Sequence, residues 1–132
     1  MTDTSERADR PSGELLLQTV AMPKETNTNG DIFGGWLLSQ MDIAGGVMAE
    51  RVAGGRTVTV AISSMAFIRP VPVGAIISCY GQLVSVGRSS IKLLLTVWCQ
   101  PRLTGELHKV TEGEFVFVAI DELGHSRPIE RA

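Results

Sequence analysis

Between Gly34 and Val52 the chain reads GGWLLSQMDIAGGVMAERV, a run of helix formers stopped by the glycine pair Gly54 and Gly55. Those roughly 19 residues would span roughly 28 Å. Trp36, Leu37, Leu38, Met41, Ile43, Val47 and Met48 cannot share one stripe, and a helix that is apolar all round is a buried one. Gly45 and Gly46 in its middle cost about 1 kcal/mol each relative to alanine, which calls for compensation by a close approach of another backbone. The pattern therefore places this helix at the centre of a domain. It is a poor membrane span, because Asp42 and the glycine pairs interrupt it.

The remainder reads as strands, at about Glu14 to Met22, Thr57 to Arg69, Ala75 to Val86, Ser89 to Gln100 and His108 to Asp121. Breaks fall at Pro70, Pro72 and Gly74, at Gly87, and between Pro101 and Gly105. In the fourth run Ile91, Leu93, Leu95, Val97 and Cys99 alternate with Lys92, Leu94, Thr96, Trp98 and Gln100, giving one apolar and one mixed face. In the last run Phe115, Phe117 and Ala119 face one way and Val116, Val118 and Ile120 the other, so both faces want cover. Antiparallel strands joined by short turns, with one buried helix, make an α+β domain whose sheet curls round the helix. One helix cannot cover both faces, so self-association is expected.

The 132 residues suit one domain, and 44% hydrophobic content supports a real core. Twelve basic against 14 acidic side chains leave a net charge of −2, which excludes an electrostatic nucleic-acid binder. Residues 1–13 read as a flexible polar tail without a signal-peptide run, 14–122 as the single domain and 123–132 as a polar C-terminal tail. Cys79 and Cys99 lack CxxC spacing, which fits reduced thiols and a cytoplasmic chain.

Common catalytic signatures are missing: there is no GxSxG, HExxH, GxxxxGK[ST] or GxGxxG. The only histidines, His108 and His125, lie far from the helix in sequence, so neither a histidine triad nor a metal site is expected, and no cofactor is implied. Asp42 is the only charge between Ile32 and Ala49, and a carboxylate among apolar neighbours is either paired, functional or at a point where the helix meets solvent. The segment Asn27-Thr28-Asn29-Gly30-Asp31-Ile32-Phe33-Gly34-Gly35 leads into the helix. Glycines there let a substrate oxygen approach unpaired N–H groups at the positive end of the helix dipole, although a glycine-rich capping turn would look the same. Asp42 lies eight residues beyond Gly34, roughly on the same side of the helix, so one substrate could meet both.

The run TNTNGDIFGGWLLSQMDIAGG, then VTVAISSMAFIRPVPVGAII and VSVGRSSIKL, resembles the hotdog-fold acyl-CoA thioesterases of the YciA type over about Leu15 to Asp121. The resemblance implies a hotdog fold: a curved five-stranded antiparallel sheet round one long helix, paired into a dimer with a continuous sheet and assembled as a hexamer, with a tetramer as the alternative. It implies active sites at the dimer interface, with Asp42 as the catalytic carboxylate and Asn27, or else Asn29, as a second active-site residue from the partner subunit. Gly34 and Gly35 then supply N–H groups that polarise the thioester carbonyl.

A thioester suits such sparse equipment, because a thiol of pKa near 8.5 leaves as a thiolate without a strong acid. Asp42 would activate water or attack directly, and N–H groups of Gly34, Gly35 or Trp36 would hold the oxyanion, each contributing typically about 3 kcal/mol. Acid pH should slow the reaction. For the phosphates of CoA, the turn Gly87-Arg88-Ser89-Ser90 offers an arginine and two hydroxyls, while also reading as an ordinary hairpin turn. Arg69 reads equally as a strand-end charge or a phosphate ligand, and Lys109 is the weaker candidate. A hydratase of the same fold would want a histidine near the helix, and none occurs before His108. A non-catalytic acyl-CoA binding or sensor protein is the alternative function, with a purely structural role behind it. Trp36, Met41, Met48 and Phe67 could line a pocket or a core alike, which leaves acyl preference open.

Overall fold

The computed structural model describes residues 10–101 and 105–130; of the tails expected at 1–13 and 123–132, residues 1–9 and 131–132 lie outside them. In chain order the elements are β1 (Glu14–Val20), a 3-10 turn (Pro23–Glu25), α1 (Gly34–Ala53), β2 (Thr57–Phe67), β3 (Ile76–Val86), β4 (Ser90–Gln100) and β5 (His108–Ala119). Every expected run is present. All pairings are antiparallel in the order β1-β3-β4-β5-β2, so β1 and β2 are the edges. The helix lies across one face and touches every strand.

The alternation in β4 becomes burial directly: Ile91, Leu93, Leu95, Val97 and Cys99 are completely buried, and Lys92, Leu94 and Thr96 on the other face are only partly so. Phe115 and Phe117 extend that core across β5, their rings stacked at 6.3 Å. Val116 and Val118 face outward and remain half-buried. The close approach of a backbone expected at the mid-helix glycines is not what is found: side chains crowd one of them and nothing approaches the other. A Cβ on Gly45 would lie 2.8 Å from Leu95 Cδ1 and 2.9 Å from Phe117 Cζ. Leu95 itself pairs with Gly81 on one side and Gly113 on the other, so the sheet is thin where the helix presses closest.

The helix is not buried on every side within one chain, which corrects the reading of its sequence. Leu37, Met41, Ala44, Gly45, Ala49 and Ala53 face the sheet, whereas Ile43 and Val47 are 55% and 49% exposed. The apolar residues in excess of one stripe form a second, uncovered face. Beside it runs β2, an edge strand with exposed Val58, Val60 and Ile62 and a bulge at Ser64, whose φ of 55° is left-handed.

Residues 123–130, expected as a polar tail, fold back onto the domain. Arg127 N donates to Ala119 O at 3.0 Å and Arg127 Nη2 to Ala53 O at 2.9 Å, which sets a guanidinium at the carbonyl end of α1. Ile129 is buried and its N–H donates to Arg88 O at 2.7 Å. At the other terminus Ser12 accepts from Gln82 Nε2 at 3.0 Å. No helix among the described residues is long and apolar enough to cross a membrane.

Candidate active site

The loop before α1 is organised by Asn27. Its side-chain Oδ1 accepts from Asn29 N at 2.9 Å and Asp31 N at 3.2 Å, and its N–H donates to Asp31 O at 2.7 Å. Gly30, at φ 83°, completes the turn. Backbone bonds from Ile32 N to Val71 O (3.0 Å) and Phe33 N to Glu25 O (2.8 Å) tie the loop down. With its oxygen occupied, Asn27 keeps its amide N–H groups for another partner, none being present among the described residues.

At the helix start Phe33 gives no side-chain cap and the first turn carries no acidic residue. Trp36 N is satisfied by Phe33 O at 3.1 Å, which removes it from the three expected oxyanion donors. The N–H groups of Gly34 and Gly35 have no partner among the described residues, as befits the first turn of a helix. Gly34 lines a cleft of about 290 Å³ together with Asn27, Asp31, Leu37, Phe67 and Arg69. A Cβ at Gly34 would sit 3.1 Å from the Phe67 ring, so glycine keeps this wall open. Asn29 does not line the cleft, and this favours Asn27 of the two asparagines.

Asp42 stands elsewhere. Eight residues of helix place it about 12 Å along the axis from Gly34, too far for both to act on one carbonyl carbon and its oxygen. It lies on the uncovered face of α1, exposed, so of the settings the sequence left open it takes the one where the helix meets solvent. Thr59 Oγ1 donates to Asp42 Oδ1 at 2.5 Å, fixing one carboxylate oxygen and leaving the other open. Thr59 escaped the sequence reading; its only signal was a polar residue in the alternating run Thr57-Val58-Thr59-Val60. One chain thus brings Asn27 and Gly34 together and keeps Asp42 apart from them.

The turn Gly87–Ser90 lies at the opposite end of the sheet from this cleft, near the C-terminal end of α1. Gly87 N donates to Ser90 O at 2.7 Å and Ala119 N to Ser89 O at 2.8 Å. Arg88 and Ser89 border a hollow of about 90 Å³ with Ser126, Arg127 and Pro128. Cys79 and Cys99 are free and buried, and burial pushes their thiols up to about 12 and about 11, so neither offers a thiolate nucleophile.

A curved antiparallel sheet on a single long helix, with the helix start opening onto a cleft, is a hotdog fold. The thioesterase superfamily profile matches residues 29–106. The chain is 46% identical over 125 residues to the acyl-CoA thioester hydrolase YciA of Escherichia coli, covering 91% of this chain and 95% of that protein. Among solved structures, a hexameric broad-specificity acyl-coenzyme A thioesterase superposes with a TM-score of 0.87 at 52% identity, covering 92% and 84% of the two chains. A hexameric thioesterase from Yersinia pestis gives 0.89 at 46% identity, covering 93% and 100%. The chain belongs to the thioesterase superfamily, among its YciA-type acyl-CoA thioester hydrolases.

Proposed function

We propose that this protein hydrolyses acyl-CoA thioesters to the free carboxylic acid and CoA, at sites shared between two subunits. The observation that carries the composite site is the separation inside one chain: an open carboxylate at Asp42 and open N–H groups at Gly34 and Gly35 stand about 12 Å apart along one helix. A second copy paired along the free edge of β2 would cover Ile43 and Val47. It would also set the Phe67 end of one subunit beside the Thr57 end of the other. Asp42 of one chain would then face Asn27 and Gly34 of its partner. The dimer is the minimal active unit on this reading. A hexamer built as a trimer of dimers follows the relatives described as hexameric.

In the site, the thioester carbonyl lies against the Gly34 and Gly35 N–H groups, which stabilise the tetrahedral oxyanion as charge develops. Asp42, held through one oxygen by Thr59, presents the other either to a water, as base, or to the carbonyl carbon, as nucleophile. Single-turnover hydrolysis in heavy-oxygen water identifies an anhydride opened by water at the Asp42 carbonyl, because the first product then carries an unlabelled Asp42 oxygen and the label stays on Asp42, whereas water attack on the acyl carbon labels the product. The amide N–H groups of Asn27 orient the water or substrate. CoA leaves as a thiolate and takes its proton from solvent. For Gly87, Arg88, Ser89 and Ser90 the proposed role is contact with CoA from the partner's side of the dimer. The protein needs no cofactor for this chemistry. The free, buried thiols suit a cytoplasmic location.

Thiol release from a panel of acyl-CoAs, with the wild type beside a folded and assembled Asp42→Ala variant, tests the proposal. Turnover by the wild type and loss of at least about 100-fold in the variant is the expected result. Binding of acyl-CoA without thiol release would instead make the protein a sensor or carrier.

A further inference from the structure

The last turn of α1 has its stop without help from any side chain. Gly54, at φ 70°, takes the left-handed conformation that ends a helix, and the N–H groups of Gly54 and Gly55 both donate to Glu50 O, at 2.8 and 3.2 Å. Arg127 is nonetheless brought to the same place from the far end of the sequence and spread over three carbonyls. Nη2 donates to Ala53 O at 2.9 Å, Nε to Ile120 O at 3.2 Å and Nη1 to Pro128 O at 3.4 Å. It has no carboxylate partner among the described residues. Its segment is anchored on both sides, by the bridge between Ile120 and Ser126 and by buried Ile129, whose N–H donates to Arg88 O. Gly55 belongs to the arrangement, since a Cβ there would lie 2.8 Å from Arg127 Nη2.

The two carbonyls that Nη2 and Nε hold flank one corner of the fold. The chain leaves α1 through Gly54, Gly55 and Arg56 and enters β2 at Thr57. Arg56 O accepts from Ile120 N at 3.0 Å, and Thr57 pairs with Ala119. One guanidinium therefore joins the end of α1 to the residues that hold the start of β2. Two residues into β2 stands Thr59, whose hydroxyl crosses from the strand to Asp42 on the helix. A hydrogen bond between two elements survives only while their spacing does, because it weakens steeply with distance and angle.

We propose that Arg127 is a positioning residue for Asp42: by bridging Ala53 O and Ile120 O with its planar fork, it fixes the set of α1 against β2 and so the Thr59 contact that aims the open carboxylate oxygen. This rests on the reading of Asp42 as the catalytic carboxylate.

The test is a cycle of kcat and KM for acyl-CoA hydrolysis in the wild type, Arg127→Met, Thr59→Val and the double variant. Circular dichroism and sedimentation verify that each folds and assembles, and each is assayed well below its own melting midpoint. Arg127→Met should lower kcat at least about fivefold with KM held within about twofold. Thr59→Val, which slows the wild type several-fold, should cost less than about twofold in Arg127→Met, because the contact it removes is already lost. Arg127→Lys keeps the charge at the helix end but cannot span two carbonyls, and should stay close to Arg127→Met. An unchanged kcat in Arg127→Met, losses that multiply in the double variant, or full rate in Arg127→Lys overturns the assignment. If Arg127→Met does not assemble, Gly55→Ala, whose methyl displaces Nη2, takes its place in the same cycle with the same expectations. If the wild type releases no thiol, or Asp42→Ala keeps the wild-type rate, the reading of the site fails and the role of Arg127 falls with it. Turnover that depends on Asp42 but not on Arg127 overturns the role of Arg127 alone.

Discussion

Gly45 and Gly46 are neighbours in one helix, carry the same propensity cost and read identically in the sequence, yet they answer to different surroundings. Gly45 faces Leu95 and Phe117 so closely that a methyl group has no room. A Cβ on Gly46 would meet nothing within 4 Å. The fold of a single chain accounts for the first glycine and leaves the second unexplained, together with the exposed Ile43 and Val47 on its side. The sheet-facing side of α1 is packed by its own subunit; the other side, which carries Asp42, is the one the proposed dimer would cover.

The largest expected effect probes that outer side. Asp42→Ala should cost at least about 100-fold in kcat, roughly 2.7 kcal/mol of transition-state stabilisation, with the hexamer intact in sedimentation. Retained turnover would remove the chemistry from this face. Ile43→Glu comes next: a charge set in an apolar interface should dissociate the subunits on size-exclusion chromatography and take at least about tenfold of the activity with them. A protein that keeps both its size and its rate would show that this face stays open in the assembly. On the inner side, Gly45→Ala should destabilise by about 1–2 kcal/mol in denaturant melts, overpacking against Leu95 and Phe117 outweighing the gain in helix propensity. Thr59→Val should lower kcat several-fold, an effect of about 1 kcal/mol, with little change in KM and with recovery in Thr59→Ser. Equal losses in the valine and serine variants would reduce Thr59 to a packing role. Gly46→Ala is the smallest and the most discriminating. If the partner helix comes close, assembly weakens; if it does not, the melt rises by up to about 1 kcal/mol.

The strands were readable because turn residues such as Gly87 and Pro101 punctuate period-two runs, and from Ile91 to Cys99 alternation became burial except at Trp98, which is buried on the mixed face. The helix was readable as an element but not as an environment. Hydrophobicity on all sides says that each side is covered, without saying whether by the same chain, and Ile43 and Val47 were assigned to a core that one subunit does not contain. Asp42 was visible as a lone charge, and Asn27 through the loop signature, whereas Thr59 was not, since a threonine in a strand is unremarkable until the fold sets it opposite a carboxylate. His108 was discounted for its distance along the sequence from the helix, and Lys109 was ranked below Arg69. The pairing of β5 with β2 brings them beside Arg69, a juxtaposition that linear spacing cannot express.

The division of labour along α1 has a consequence for inheritance. If each active site takes its carboxylate from one chain and its loop asparagine from another, no single copy of the polypeptide owns a site. Chains lacking Asp42 and chains lacking Asn27 would each be inert alone. Reassembled together at equal amounts, they would regenerate about a quarter of the normal sites, because half the dimers are mixed and each mixed dimer has one intact site. A duplicated gene could therefore let its two copies decay in complementary halves, and the pair would become an obligate heteromer without any new contact having evolved.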